Sequence, residues 1–371
     1  MHLAHVEGLR AIAALVVYLN HAYAQVWERE GSSPPAGLLA PMSYSMVAGH
    51  LSVAVFIVIS GFCLTLPVVK NGDQLRGGLR AFLKRRAWRI LPPYYAAVAL
   101  CLLLIWTIIG KPTGTLWDVP IQLNATAYIS HLLLLQDLFG TSRINYVFWS
   151  IAVEWQIYFL FPILLWSFRR HGPAVMVGVA LVVGYALRLG FADTRIARTS
   201  CHFIGLFALG MVAAYIACSP REPYPSLRSS RAWGFAAALT FIGALFLLPL
   251  GTGYFPLLDG VVGIMTATLL VHSSSSTGSV ATRALSWRPL VFVGTFSYSV
   301  YLIHAPLLQI LWQYALAPLG LRQEAMFVTL ISVGLVCILG AAYLFFRLFE
   351  APFMVTRTAA RAADAPPAVP A

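Results

Sequence analysis

Apolar residues along this chain come in long unbroken runs, not in the strict alternation of a half-buried strand. Runs of about 20 residues match the thickness of a bilayer core. They predict ten helical spans, over 8–27, 46–69, 88–109, 146–168, 173–190, 201–219, 232–251, 256–273, 289–314 and 325–349. The longest stretch between spans, 110–145, carries Gly110, Pro112, Gly114 and Pro120. It is long for a structureless connection and is expected to fold over one mouth of the bundle. The short, basic, glycine-interrupted segment 71–87 predicts an interfacial helix. The Ala- and Pro-rich tail 356–371 is expected to be disordered. No repeat and no composition shift marks a second, soluble domain, so 1–355 reads as one transmembrane domain. The expected fold class is all-α, a polytopic transmembrane bundle of about ten spans.

Composition narrows the picture further. The chain has 371 residues, 59% of them hydrophobic and only 10% charged, whereas soluble domains are about a quarter charged. The segment after Arg10 is expected to be a first span, with no cleavable-signal pattern before it. The net charge of +12 is distributed by topology. With the N-terminus placed in the cytoplasm, 18 of the 25 basic residues fall on the inner ends and loops, so the positive-inside rule puts both termini there. Arg188, Arg195 and Arg198 are exceptions. The basic excess is accounted for by topology and by contact with anionic membrane lipid, and a nucleic-acid partner is not expected. The five cysteines show no CxxC spacing and are odd in number. Neither a disulfide framework nor a metal site is expected.

In a bilayer the informative residues are the polar ones inside spans, because each is costly unless paired or wet. In 9-LRAIAALVVYLNHAYA-24, Arg10 and His21 are eleven residues apart. Helical rotation returns them to one face, about 16 Å apart along the axis. In 149-WSIAVEWQIYFLFP-162, Ser150, Glu154 and Tyr158 line one stripe at i, i+4 and i+8. By topology Glu154 and His21 lie at comparable depth, which permits a His–Glu contact. In 297-SYSVYLIHAP-306, Ser297, Tyr301 and His304 follow i, i+4 and i+7. In 84-KRRAWRILPPYY-95, Arg85, Arg86 and Arg89 crowd the inner end of a span. Planar, bidentate guanidiniums suit phosphate, so with Arg10 these form a candidate anion-binding ring. Each feature also has a plainer reading. Arginines that flank spans serve as topology anchors, a histidine near a helix end reaches for the interface, and tyrosines pack.

Five stretches taken together resemble the integral-membrane acyltransferase-3 family. They are 7-EGLRAIAALVVYLNH-21, 53-VAVFIVISGF-62, 85-RRAWRILPPYY-95, 148-FWSIAVEWQIYFLFP-162 and 297-SYSVYLIHAPL-307, and 349-FEAPF-353 is a weaker terminal match. They occur in the family's order, from residue 7 to about 307. Two positions depart from the family pattern: Glu7 stands where aspartate is frequent, and Trp155 replaces the second glutamate of a common Glu-Glu pair, whose first member is kept as Glu154. The resemblance implies a multi-pass protein of the bacterial inner (plasma) membrane. It would O-acylate an envelope carbohydrate such as O-antigen, exopolysaccharide or a lipid-linked sugar. The donor it implies is acetyl-CoA, a co-substrate supplied from the cytoplasm, with no permanently bound cofactor.

On that reading Arg10, Arg86 and Arg89 hold the donor's phosphates, and the pantetheine arm spans the distance from Arg10 to His21. His21 then acts as general base, with Glu154 orienting it. Ser150, Tyr301 and His304 are candidate substrate or oxyanion contacts. A covalent acyl-histidine is a second route. Acylation of a small molecule such as a macrolide is an alternative. A proton-coupled transporter or flippase is a rival from another class, although such proteins tend to show internal repeats that this chain lacks.

Overall fold

The structure is a computed structural model that describes residues 3–28, 32, 35–121, 123–139, 143–191, 194–221, 223–228, 231–276 and 278–354. Among these residues there are helices and turns and no strand. The helices that organise the bundle are α1 (Ala4–Trp27), α2 (Ser45–Lys70), α3 (Gly78–Thr107), α4 (Ala125–Leu133), α5 (Trp149–His171), α6 (Pro173–Gly190), α7 (Phe203–Cys218) and α8 (Ala232–Leu247). They continue with α9 (Phe255–Ser275), the short α10 (Arg288–Thr295), α11 (Ser297–Leu319) and α12 (Gln323–Met354). Eight helices among the described residues are long and apolar enough to cross a membrane. Two more predicted spans are helical but fall outside that set. One is α1, which carries Glu7 and Arg10, and the other is the 16-residue α7.

Two predicted boundaries need correction. The basic segment 71–87 does not form a separate interfacial helix: from Gly78 onward it is the start of the 30-residue α3. Pro92 and Pro93 lie within α3 and do not end it. The span predicted over 289–314 is broken at Phe296, whose φ of −122° and ψ of 20° leave the helical region. Ser297 turns its hydroxyl back to the Gly294 carbonyl there, so α10 is a separate short helix. The predicted disordered tail 356–371, with Arg357 and Arg361, lies outside the described residues.

α1 runs through the middle of the bundle. It packs on α2, α10 and α11, while α2 packs on α7 and α9, and α11 packs on α12. Because lipid is as apolar as the side chains, such contacts rest on close packing, and small residues permit it. Gly61 on α2 and Gly210 on α7 face each other's backbones. A methyl at Gly61 would sit 2.1 Å from the Phe207 carbonyl oxygen, and one at Gly210 would sit 2.1 Å from that of Val58. At the opposite extreme, α6 and α8 leave most of their apolar residues exposed, Val182, Phe235 and Phe246 among them. These are the faces that lipid would cover.

The described residues of 110–145 are folded. They hold a 3-10 turn (Leu116–Ile121), α4 and a short helix at Gln136–Phe139, and they bury Trp117. Thr115 donates to Gln309 of α11 and Gln309 donates to Thr113, and the Tyr94 and Tyr95 hydroxyls of α3 donate to the His131 and Leu132 carbonyls, so the cap is pinned to the bundle at several points. Inside the cap His131 is wholly buried. Its Nδ1–H donates to the Ala127 carbonyl, and its Nε2 accepts the Ile144 N–H. Both nitrogens are used by the neutral ring. Burial, reinforced by the nearby Arg143 cation and partly opposed by the Ala127 carbonyl, pushes its pKa down to about 4.

Two outcomes follow. Gly210→Val forces α2 and α7 apart and should cost about 1–3 kcal/mol, read as a lower thermal midpoint in detergent; an unchanged midpoint would refute the close-packing account. His131 binds a proton more readily unfolded than folded. Its contribution is therefore complete above pH ~6.5 and drains away as pH falls toward 4, on the order of 3 kcal/mol in all. Limited proteolysis of 110–145 should accelerate over that window, and His131→Gln should flatten the response.

Candidate active site

Where α1, α2, α3, α5 and α11 meet, they enclose a cavity of about 240 Å³. Arg10, Arg86 and Arg89 all line it, so three of the four cationic positions singled out in the sequence come together around one space. Arg85 does not join them; it is exposed and donates to the Arg76 carbonyl. The stripe predicted on α5 faces the same space, with Ser150, Glu154 and Tyr158 all on its wall.

The cavity is balanced in charge. Its ionisable lining comprises three arginines and three glutamates: Glu7, Glu154 and Glu350. Arg10 donates to Glu7 at 3.0 Å, one turn away on α1, and its other Nη reaches the Cys63 sulfur at 3.4 Å. Arg89 lies 3.0 Å from Glu350, which is fully buried and also accepts the Ser299 hydroxyl at 2.6 Å. The Tyr158 hydroxyl donates to Glu154 at 2.5 Å and lies 3.1 Å from the Ser60 oxygen. Pairing of this kind removes the penalty of an isolated charge away from water. Glu350 is a site residue that sequence reasoning missed. Its only signal was the FEAPF match, and its side chain reaches the cavity from a π-helical turn, Phe346–Glu350.

The cavity extends to Ser150 and Tyr301. The Tyr301 hydroxyl donates to the Val147 carbonyl at 3.0 Å and therefore accepts from Ser150 at 2.6 Å. Its ring meets that of His304, centroids 5.9 Å apart. His304 is buried, and its Nδ1 lies 3.0 and 2.9 Å from the carbonyls of Val300 and Tyr301. Carbonyls only accept, so Nδ1 carries the proton and Nε2 presents a lone pair. That lone pair receives His21 Nδ1–H at 2.7 Å, which leaves His21 Nε2 unprotonated. The second imidazole thus fixes the tautomer of the first, the arrangement that makes a histidine a directed base. His21 remains partly exposed, and Tyr146 packs edge-on against its ring.

One expectation is corrected here. Glu154 does not orient His21; it is bonded to Tyr158 on the cavity wall, and His304 is the partner of His21. Comparable depth permits a contact, but rotation about the helix axis decides which groups meet. Continuous α1 does keep Arg10 and His21 on one helix, about 16 Å apart along its axis.

A family model described as an acyltransferase domain matches residues 3–347. Among curated proteins, the O-acetyltransferase OatA of Staphylococcus aureus (strain NCTC 8325 / PS 47) is 25% identical, the alignment covering 95% of this chain and 57% of the relative. The peptidoglycan O-acetyltransferase OatA of Listeria monocytogenes is 21% identical over 94% of this chain and 55% of the relative. The putative peptidoglycan O-acetyltransferase YrhL of Bacillus subtilis is 24% identical over 81% and 48%. The chain therefore spans about half the length of the curated relatives it matches. No solved structure matches it.

The tautomer chain is directly measurable. With 15N-labelled histidine, NMR should report His21 as Nδ1–H with Nε2 bare, and His304→Phe should release it into a mixture of tautomers. An unchanged His21 signal in that variant would exclude the proposed pairing.

Proposed function

The chain belongs to the acyltransferase-domain family Acyl_transf_3, and from that premise we propose that it transfers an acetyl group from cytoplasmic acetyl-CoA to a hydroxyl of a cell-envelope carbohydrate. The observation that carries the reading is the succession within one bundle. An arginine-lined cavity comes first, the Ser150–Tyr301 pair follows at its wall, and the His304–His21 pair lies beyond. The named activities of the relatives favour a glycan polymer, with peptidoglycan foremost. In this reading both termini are cytoplasmic and the protein crosses the bacterial inner membrane.

Arg10, Arg86 and Arg89 take the donor's phosphates. Their present carboxylate partners hold two of the guanidiniums in position while the donor is absent, and the incoming phosphates compete with those carboxylates. The acceptor hydroxyl gives its proton to His21 Nε2 as its oxygen attacks the thioester carbonyl. The tetrahedral oxyanion is met by the hydroxyls of Tyr301 and Ser150. When the carbon–sulfur bond breaks, the leaving thiolate takes the proton back from His21, giving ester and free thiol. His304 acts as a positioning residue throughout. Glu154 acts within the cavity as a counter-charge, not as the partner of the base.

The test is transfer of radiolabelled acetyl from acetyl-CoA supplied to inside-out membranes. His21→Ala should lower turnover by about 10²–10⁴-fold with donor affinity intact. Arg86→Ala and Arg89→Ala should raise the donor KM about tenfold or more, and lysine at either position should restore only part of it, having no bidentate face. Full activity in His21→Ala would remove the central claim, and label that never leaves the donor with any glycan would favour transport.

A further inference from the structure

Away from the cavity, a second set of ionisable side chains comes together among the described residues. Asp259, near the start of α9, is completely buried. Its Oδ2 accepts Nε2–H from His202, at the head of α7, at 2.8 Å, and from His50 on α2 at 3.2 Å. The phenol of Tyr185 approaches from α6, its ring 5.4 Å from that of His202. Neither Asp259 Oδ1 nor His202 Nδ1 has a hydrogen-bond partner, and both are buried. His50 differs from His202 in one respect. Its side chain is 21% exposed, and the one hydrogen bond it makes among the described residues is from Nε2 to Asp259. Phe255 and Trp149 stack on the ring, at 3.8 and 5.7 Å between centroids, so only its edge is available. The carboxylate holds the proton on Nε2 and leaves Nδ1 as an oriented acceptor.

The helix that carries His50 packs on the one that carries His21. Asn20 and Gly49, the residues just before His21 and His50, touch where α1 crosses α2; a methyl on Gly49 would sit 2.3 Å from the Asn20 side chain. Helices that cross so closely have axes about 8–10 Å apart or less. The two sites are also linked through α5. Trp149 covers His50, while the next residue, Ser150, bonds Tyr301 against His304. The two histidine sites are therefore joined by one helix crossing and by adjacent residues of α5.

We propose that His50, oriented by Asp259, is an acceptor-binding residue. It accepts a hydrogen bond from a hydroxyl of the carbohydrate other than the one that is acylated, with Trp149 and Phe255 offering the aromatic rim. The inference rests on the carbohydrate reading given above. It makes His50 a determinant of which polyhydroxylated acceptors are used, because a site built to bond a hydroxyl discriminates against the analogue that lacks it.

The primary readout is binding, measured by saturation-transfer NMR of methyl glycosides and their monodeoxy analogues on the full chain in detergent. His50→Phe preserves the stacked ring and removes the acceptor nitrogen. It should weaken the parent glycoside about tenfold, while one monodeoxy analogue binds wild type and variant alike; CoA affinity should not move. Asp259→Asn, close in shape, should show the same acceptor-only loss and carries the test if His50→Phe does not fold. Parent-glycoside affinity unchanged in the folded variants, or a loss of equal size for every deoxy analogue, overturns the role of His50. Failure of the acetyltransferase reading would show separately, as absence of acetyl transfer from wild type with glycoside binding still sensitive to His50.

Discussion

The structure depends on a single constraint: polar side chains placed inside a membrane bundle must find partners there, because neither lipid nor bulk water will supply them. α1 carries a series of such groups, and each is met within the bundle. Arg10 reaches Glu7 and Cys63, the Tyr18 hydroxyl donates to the Leu330 carbonyl, His21 pairs with His304, and Gln25 donates to Gln309. Positions 10, 18, 21 and 25 fall on one side of the helix, so a line of polar contacts runs the length of the bundle. It begins in the charged cavity and ends at a glutamine that helps pin the cap. The helix is thus both the spine of the fold and the element that sets the spacing between the two ends of the site.

Charge balance in the cavity follows from the same constraint. Three guanidiniums without counter-charges would be costly in a site only partly open to solvent, and carboxylates on α1, α5 and α12 offset them. An anionic ligand then gains less from each arginine than the count of cations suggests, because it replaces a carboxylate and not water. What the carboxylates provide in return is geometry. Glu350, held by Ser299, presents Arg89 to the cavity in a defined direction.

Much of the architecture was legible because helical spans announce themselves locally: a run of apolar residues and its length fix a helix without reference to any other part of the chain. The convergence of Arg10, Arg86 and Arg89 was legible for a related reason, since all three mark the same end of their spans. What pairs with what was not. His21 and His304 are 283 residues apart, and whether His304 or Glu154 meets His21 depends on rotations and crossings that no local pattern encodes. Glu350 depends on a π turn, and the break at Phe296 depends on a hydroxyl folding back on the preceding turn. The His50–Asp259–His202 cluster draws one residue from each of three helices, each unremarkable in its own span.

The state of Tyr301 shows how far the resting structure stands from a reacting one. Its hydroxyl has one proton, which is committed to the Val147 carbonyl, and Ser150 fills an acceptor position on the same oxygen. To meet an oxyanion, Tyr301 must release Val147, and Ser150 must turn from donating to Tyr301 toward the substrate. Val147 lies just before α5, two residues from Trp149 and three from Ser150. A shift at the head of α5 would therefore loosen the Tyr301 hydrogen bond, redirect Ser150 and move the ring that covers His50 together. Besides α1, this one turn of backbone connects the arginine-lined cavity with the two histidine sites. In the proposed reaction Tyr301 would meet the developing charge only after giving up its bond to Val147, which would tie that stabilisation to movement of this turn.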